Sequence, residues 1–248
     1  MNAQGHSLPN EPKRIEVIHY LRGLASLAVA WFHLTRWPDG VPISGTYGWL
    51  GVEVFFVISG FVIPYSISTT YETYSTSAFA SFISRRLVRI EVPYIVSIIL
   101  VIMLDHISAL TPGFHGATPN FTAAQIASNI FYVAAWTGQK WLQPVYWTLA
   151  YEFAFYLTIG LLYSVLFGKR RSLAYSFVVA VLLVAAIGGV ISSLVLLFVM
   201  GTSVFRYVKG SERHLVAMST VIACAIAIEF AGSQAIAVTL RSPVYVSA

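Results

Sequence analysis

The chain of 248 residues has few charged side chains and a single cysteine. Charged residues make up 10% of it and hydrophobic residues 57%, whereas soluble domains average about 25% and about 45–50%. A water-soluble fold of this size needs more charge than this to cover its surface, so a soluble domain is excluded. Cys224 has no partner for an internal disulfide and lies inside an apolar run, which predicts a packing role.

The sequence also lacks the alternation of apolar and polar residues, in segments of about ten, that is typical of membrane β-barrels. Its apolar residues form continuous runs, several of about 20 residues, which predict membrane-spanning helices. The predicted fold is an all-α, polytopic transmembrane helix bundle of about seven spans. These spans are predicted over residues 15–34, 49–67, 87–106, 145–167, 172–187, 191–208 and 215–230.

Residues 123–138 are too short and too polar for a clear span, and we predict an interfacial or half-crossing helix there. The polar residues 1–13 are predicted to form a cytosolic N-terminal segment. No small-residue cleavage site follows the first span, which predicts a retained helix rather than a removed signal peptide. Since no repeat and no second soluble domain is recognisable, residues 14–248 are predicted to form a single transmembrane domain.

The distribution of lysine and arginine predicts the orientation of the chain. These residues sit at helix ends and not in one patch, so nucleic acid is not a predicted partner. If the N-terminus is cytosolic and 123–138 does not cross fully, most of the basic residues lie on the cytosolic side, as the positive-inside rule requires. The residues then predicted to be cytosolic are Lys13, Arg14, Arg85, Arg86, Arg89, Lys169, Arg170, Arg171, Arg206, Lys209 and Arg213. Those on the outer side are Arg36, Lys140 and Arg241.

Arg22 and His33 lie in the first span, eleven positions apart. Eleven residues are almost three helical turns, so the two side chains share one helix face and are separated by about 16 Å along the axis. An arginine in a span costs about 2.5 kcal/mol or more and usually faces a partner or a cavity. The alternative is that both side chains merely extend towards the two membrane surfaces.

Four stretches of the chain, in this order, resemble the acyltransferase-3 family, which includes bacterial O-acetyltransferases of surface polysaccharides. The stretches are 20–25 (YLRGLA) with FH at 32–33, 51–61 (GVEVFFVISGF), 82–90 (FISRRLVRI) with PY at 93–94, and 147–152 (WTLAYE) with FY at 155–156. The resemblance covers residues 15–167. Beyond them only the general hydrophobicity is similar, and the chain looks C-terminally short for the family.

The resemblance implies a membrane-bound enzyme of the bacterial inner membrane. Such an enzyme transfers an acyl group, usually acetyl, from acyl-coenzyme A to a hydroxyl of a carbohydrate or a lipid-linked sugar. Acyl-coenzyme A is then the donor substrate, and no permanently bound cofactor is expected. Two alternatives stay open: a truncated, inactive homologue that acts only as a membrane partner, and a small-molecule transporter.

The candidate catalytic residues are His33, Arg22 and Glu152. Histidine changes its charge near neutral pH, so His33 suits a general base that deprotonates the acceptor, or it carries the acyl group itself. Arg22 is placed to orient the thioester carbonyl and offset its developing negative charge. Glu152 would pair with either residue or bind acceptor hydroxyls; alternatively it is an interfacial carboxylate beside an aromatic belt.

The candidate residues for the coenzyme A phosphates are Arg85, Arg86 and Arg89. Arg86 and Arg89 share a helix face, and guanidinium groups suit phosphates. The alternative is a positive-inside signal with headgroup contacts.

The candidate substrate-binding residues are Glu53, Trp147, Tyr151 and Tyr156, of which Glu53 also suits a structural counter-ion. The pair Ser59-Gly60 predicts close helix packing, because small residues let two backbones approach. The histidines show no spacing typical of a metal site, so no metal is predicted.

Overall fold

The computed structural model describes residues 16–35, 45, 47–112, 119–167 and 172–241, with side chains up to residue 233. The described residues contain no strand and form α-helices, as predicted. In chain order these are α1 (Glu16–Thr35), α2 (Leu50–Thr70), α3 (Thr76–Ala109), α4 (Ala123–Ile130), α5 (Trp147–Leu166), α6 (Ser172–Ile187), α7 (Val195–Val208) and α8 (His214–Arg241). The predicted N-terminal segment 1–13 and the basic residues 13, 14, 36 and 169–171 lie outside the described residues.

Five helices are long and apolar enough to cross a membrane: α1, α2, α3, the helical stretch Pro144–Leu166 and the part His214–Ser233 of α8. The apolar helices α6 and α7 are shorter, at 16 and 14 residues, whereas a perpendicular crossing takes about 20. The described chain is therefore that of a membrane protein, and five of the predicted spans have the length of a full crossing.

α3 begins earlier than the sequence predicts. It starts at Thr76, where the Ser75 hydroxyl accepts a hydrogen bond from the Ala78 amide and so caps the helix. The basic residues 85–89 consequently lie inside α3. The long gap between the predicted spans 49–67 and 87–106 is wrong, because α2 continues to Thr70 and leaves only residues 71–75 as a connection. Hydroxyls near the end of α2 donate to carbonyls of the preceding turn, which lets a polar stretch remain helical.

Other observed helix boundaries can be compared with the predicted ones. α4 covers only the first eight residues of the predicted 123–138, and the rest of that segment turns. α8 continues well past residue 230, to Arg241. α6 ends at Ile187 as predicted, whereas α7 begins only at Val195, and in the connection Gly189 adopts a φ of +69°, a left-handed conformation that favours glycine.

The chain divides into two compact units, and each is described by itself. The first unit consists of residues 1–72 and 165–248, and the second of residues 73–164. The first therefore holds α1, α2, α6, α7 and α8, and the second holds α3, α4 and most of α5. The single domain over residues 14–248 stays a prediction.

Within the first unit, α2 and α7 cross at Gly60 and Gly201. A Cβ atom on Gly60 would lie 2.3 Å from the carbonyl oxygen of Phe198, and one on Gly201 would lie 2.1 Å from that of Val57. Because these neighbours are backbone atoms, a side chain at either position would force the helices apart. The predicted packing role of Gly60 is confirmed.

Candidate active site

α1 carries two of the predicted catalytic residues in the first unit. Since α1 is uninterrupted, Arg22 and His33 lie on one face, and both are exposed. α1 contacts α2 through the face that includes Ala25 and Ala28, where the glycines of α2 approach its backbone. At about 100° per residue, the Arg22–His33 face lies roughly 60–140° around the helix from Ala25 and Ala28. Within the described residues of the first unit, neither side chain has a hydrogen-bond or ion-pair partner.

Glu53 lies in the first turn of α2 and is half-buried. Glu229 of α8, in the same unit, is close enough for the two charges to interact. Both predicted roles of Glu53, as a substrate-binding residue or as a counter-ion, stay predictions. Its charged neighbour Glu229 is a second carboxylate and not a cation.

The second unit joins three of the predicted site residues. The Arg86 guanidinium carbon lies 5.4 Å from the centroid of the Tyr156 ring and 5.8 Å from that of Phe82. The buried Tyr156 hydroxyl donates a hydrogen bond to Glu152, one turn earlier on α5. A cation on α3 and a carboxylate on α5 are thus connected through one phenol.

The other two arginines of α3 are placed differently from Arg86. Arg86 is half-buried, whereas Arg85 and Arg89 are exposed. Nη2 of Arg85 donates to the Ser81 hydroxyl at 2.7 Å, one turn earlier on the same helix. The three predicted phosphate ligands therefore comprise one half-buried cation beside the Tyr156 ring and two exposed cations on α3.

The remaining predicted aromatic residues form a second stripe on α5. Trp147 and Tyr151 are half-buried, one turn apart, and their rings meet edge to face with centroids 5.7 Å apart. Tyr151 directly precedes Glu152 in the chain, so this stripe lies about 100° around α5 from the Glu152–Tyr156 stripe.

Two further residues of the second unit belong to the cluster, and the sequence analysis missed both. The Tyr132 hydroxyl, in the connection between α4 and α5, donates to Oε2 of Glu91 at 2.7 Å. Burial, followed by the bond to Glu91, raises the pKa of Tyr132 above the usual phenol range, and the charges of Glu91 and Glu152 add to this. Tyr132 therefore stays a neutral hydrogen-bond donor at physiological pH. Glu91 directly follows the stretch 82–90, which was a usable signal; nothing in the sequence around Tyr132 indicated a role.

The segment 121–132, which includes α4, lies alongside α3. Just before α4 the Phe121 ring contacts the ring of His106, with centroids 5.9 Å apart. Tyr132 then reaches Glu91, which is 15 residues, or about 22 Å, further back along α3. Residues 123–138 were predicted to form an interfacial or a half-crossing segment. The course of this segment along α3 favours a half-crossing one.

Asn129 fixes the shape of this connection. Its fully buried side chain accepts from the Leu142 amide at 3.0 Å and donates to the carbonyls of Gln125 and Lys140 at 2.9 and 3.2 Å. The Tyr94 hydroxyl of α3 donates to the Asn129 carbonyl at 2.9 Å. Backbone groups of the irregular segment are thus satisfied by protein atoms, as irregular backbone away from water requires.

The first unit contains a buried charge that the sequence analysis did not single out. Arg206, at the end of α7, is 1% exposed and donates to the Leu166 carbonyl and, at 3.3 Å, to the Ser172 hydroxyl. Its guanidinium carbon lies 4.4 Å from the centroid of the Tyr175 ring, and its Nε lies 3.4 Å from Oε2 of Glu212. An arginine at the end of a span is ordinary in sequence, so nothing indicated that this one would be buried.

The fold and this site define a class of protein: a helical membrane protein with arginine, tyrosine and glutamate brought together inside one unit. Residues 15–245 match the family described as "Acyltransferase domain", and the chain therefore belongs to this acyltransferase family. The predicted enzyme class is confirmed. The match extends past residue 167, where the recognisable motifs end, and includes α6, α7 and α8.

One curated relative is the "Peptidoglycan O-acetyltransferase OatA" of Listeria monocytogenes, to which the chain is 26% identical over 230 residues. The aligned part covers 87% of this chain and 34% of that protein, so the chain spans about a third of the length of this relative. No solved structure matches the chain.

Proposed function

We propose that the protein is a membrane-bound O-acyltransferase that transfers an acetyl group from acetyl-coenzyme A to a hydroxyl of a carbohydrate. Membership of the acyltransferase family and the similarity to the Listeria peptidoglycan O-acetyltransferase support this assignment. The observation that carries it is the connected cluster of Arg86, Tyr156 and Glu152, which joins a phosphate-binding type of side chain to a carboxylate.

The donor half of this proposal rests on the arginines of α3. Guanidinium groups bind phosphates through paired, charge-assisted hydrogen bonds. The rings of Tyr156 and Phe82 restrict the half-buried Arg86 and so lower the entropy lost when it binds an anion. Arg89 is exposed one turn away and would add a second positive charge. These residues are assigned to the pyrophosphate or 3′-phosphate of the coenzyme.

The transfer step assigns a role to each of the other candidates. A base removes the proton of the acceptor hydroxyl, the oxygen attacks the thioester carbonyl, and the coenzyme leaves as a thiol after taking up a proton. His33 is that base, or else it first accepts the acetyl group on its imidazole. Arg22 stabilises the oxyanion. Glu152, oriented by the Tyr156 hydroxyl, binds the acceptor.

The proposed location is the cytoplasmic membrane of a bacterium, with the N-terminus in the cytosol. Large apolar side chains such as Leu24 and Leu27 of α1 are exposed, and lipid would cover them. The concentration of lysine and arginine on one side of the predicted spans supports the orientation. The acceptor is then a surface carbohydrate or its lipid-linked precursor.

The test uses the protein purified in detergent, with radiolabelled acetyl-coenzyme A and a soluble N-acetylglucosamine oligomer. Free acetate and acetylated oligomer are measured for the wild type, His33→Ala and Arg86→Ala. We expect both products from the wild type and a loss of both in the two variants. His19→Ala is the matched control, because His19 is an exposed histidine on the same helix; it should keep wild-type activity.

Two outcomes would contradict the proposal. A wild-type protein that neither binds nor turns over the thioester would favour an inactive membrane partner. Uptake of a small molecule by proteoliposomes without any acetylated product would favour a transporter.

A further inference from the structure

Tyr132 has a backbone conformation that is unusual for its residue type. Its φ is +59°, in the left-handed region, and among the described residues it is the one non-glycine residue with a positive φ. This conformation is unfavourable for a bulky side chain and persists only where surrounding contacts hold it. The side chain is 5% exposed, so those contacts are inside the second unit.

The contacts of Tyr132 direct its hydroxyl to a carboxylate. Its ring is stacked between those of Tyr94 and Phe153, with centroids 4.9 and 5.2 Å away. The hydroxyl donates to Oε2 of Glu91. Since Phe153 directly follows Glu152, the same stack lies beside the turn of α5 that bears the proposed acceptor-binding carboxylate.

The two carboxylate oxygens of Glu91 differ, because Oε2 accepts the hydrogen bond from Tyr132 and Oε1 is left for another donor. Glu91 is half-buried, and no described residue of the second unit donates a hydrogen bond to its Oε1. It lies five residues, or about 7.5 Å, along α3 from Arg86. A carboxylate with one oxygen fixed and one accessible, next to aromatic rings, is suited to accept a hydrogen bond from a sugar hydroxyl.

Tyr94, the second tyrosine of the stack, has a hydroxyl with a structural role. The Tyr94 hydroxyl donates to the carbonyl of Asn129 and so ties α3 to the connection. Within the described chain it donates no hydrogen bond to a carboxylate. Tyr94 and Tyr132 thus have stacked rings and similar burial but differ in what the hydroxyl holds.

We propose that Glu91 is a second acceptor-binding residue, and that Tyr132 is the positioning residue that fixes its carboxylate. The inference rests on the proposed function and deepens it, because it assigns the recognition of a polyhydroxylated acceptor to the α4–α5 connection and the middle of α3. Glu91 and Glu152 would then bind different hydroxyls of one sugar.

The test measures acetyl transfer to the N-acetylglucosamine oligomer beside hydrolysis of acetyl-coenzyme A by water. Tyr132→Phe and Glu91→Gln are compared with Tyr94→Phe, the matched control. Loss of one hydrogen bond to a charged group predicts a KM for the oligomer that is raised about tenfold in Tyr132→Phe and Glu91→Gln. The KM for acetyl-coenzyme A and the hydrolysis rate should stay at wild-type values. Tyr94→Phe should leave the KM for the oligomer unchanged, even where it lowers the melting temperature.

The outcomes separate this inference from the proposed function. If the wild type acetylates the oligomer and Tyr132→Phe keeps the wild-type KM for it, the inference fails and the proposed function stands. A KM raised equally by Tyr94→Phe would show that loosening the stack is sufficient, and it would also overturn the inference. A wild type that does not acetylate the oligomer overturns the carbohydrate acceptor, and this inference with it.

Discussion

Tyr156 holds Arg86 with the face of its ring and Glu152 with its hydroxyl. The negative face of an aromatic ring attracts a cation, and the contact is stronger when both groups are partly withdrawn from water. Because Glu152 and Tyr156 lie one turn apart on α5, a single helix presents the carboxylate and the support of the cation. A change in any one of the three side chains is therefore expected to alter the other two.

Replacement of Arg86 and of Arg89 by alanine should have different effects. Arg86→Ala removes a half-buried cation and its ring contact, so we expect a higher KM for acetyl-coenzyme A together with a lower melting temperature. Arg89→Ala removes an exposed cation, and we expect the higher KM alone. Steady-state kinetics and thermal melts of the two variants check this. Equal effects of both variants on melting would contradict the distinct placement of Arg86.

Removal of the Glu152 charge should lower kcat much more than it lowers stability. Glu152→Gln keeps the size of the side chain but accepts a hydrogen bond less strongly. Because Glu152 is proposed to orient the acceptor hydroxyl for attack, a loss of about 10²-fold in kcat is expected. Tyr156→Phe, which leaves the carboxylate without its orienting hydroxyl, should lose less, about 10-fold.

The control for both is Tyr163→Phe, which removes a phenol elsewhere on α5. A kcat in Tyr163→Phe as low as that in Tyr156→Phe would show that the effect is general to the helix. Rates under saturating acetyl-coenzyme A distinguish these cases.

The membrane class and most helices could be predicted because they depend on local composition. Runs of apolar residues predict spans whatever they pack against, so α1, α2 and α5 lie close to their predicted positions. The predicted gap between the second and third spans was too long for a physical reason: hydroxyls at the end of α2 donate to carbonyls of the preceding turn, and the Ser75 hydroxyl caps α3 at Thr76. Composition alone does not reveal that.

The candidate site was only partly predictable, because its connections link residues far apart in the chain. Arg86 and Glu152 stood out because they lie in short stretches that resemble the acyltransferase-3 family, which is a local signal. Tyr132 resembles any other tyrosine until the connection between α4 and α5 lies along α3 and brings it to Glu91, 41 positions away. The burial of Arg206 likewise depends on the carbonyl of Leu166 and on Glu212, and no periodicity in the sequence indicates it.

The crossing of α2 and α7 should not tolerate a methyl group. Gly60→Ala and Gly201→Ala each place a Cβ atom against a backbone carbonyl, and the forced separation is expected to cost about 1–3 kcal/mol of the free energy of unfolding. Thermal or denaturant unfolding in detergent measures this. Gly232→Ala is the matched control, because a Cβ on this glycine of α8 meets no atom within 4 Å. A Gly60→Ala protein as stable as Gly232→Ala would contradict the close approach.

The buried pair of Arg206 and Glu212 should depend on both partners. Arg206→Met leaves the Glu212 carboxylate buried without a cation, and a loss of about 3–5 kcal/mol is expected. The double variant Arg206→Met with Glu212→Gln should recover part of this loss, because no unpaired charge then remains. A double variant less stable than Arg206→Met would show that Glu212 is not held by Arg206.

The stability of the protein should also depend on the protonation of Glu212. Burial raises the pKa of this carboxyl above its ordinary 4.5, although the charge of Arg206 opposes the shift. The folded state then binds more protons than the unfolded state, so stability is greatest at low pH and falls as the pH rises from 4.5 through the folded pKa. Glu212→Gln does not titrate and should lose this part of the dependence.

Melting temperatures of the wild type and Glu212→Gln across this pH range check the prediction. Exposed Glu72→Gln is the control and should follow the wild type. If the wild type instead became more stable than Glu212→Gln as the pH rose, attraction to Arg206 would exceed the cost of burying the charge. The side chain of Glu212 is 1% exposed, and neither of its oxygens accepts a hydrogen bond from the described chain. The cost of burial is therefore expected to prevail.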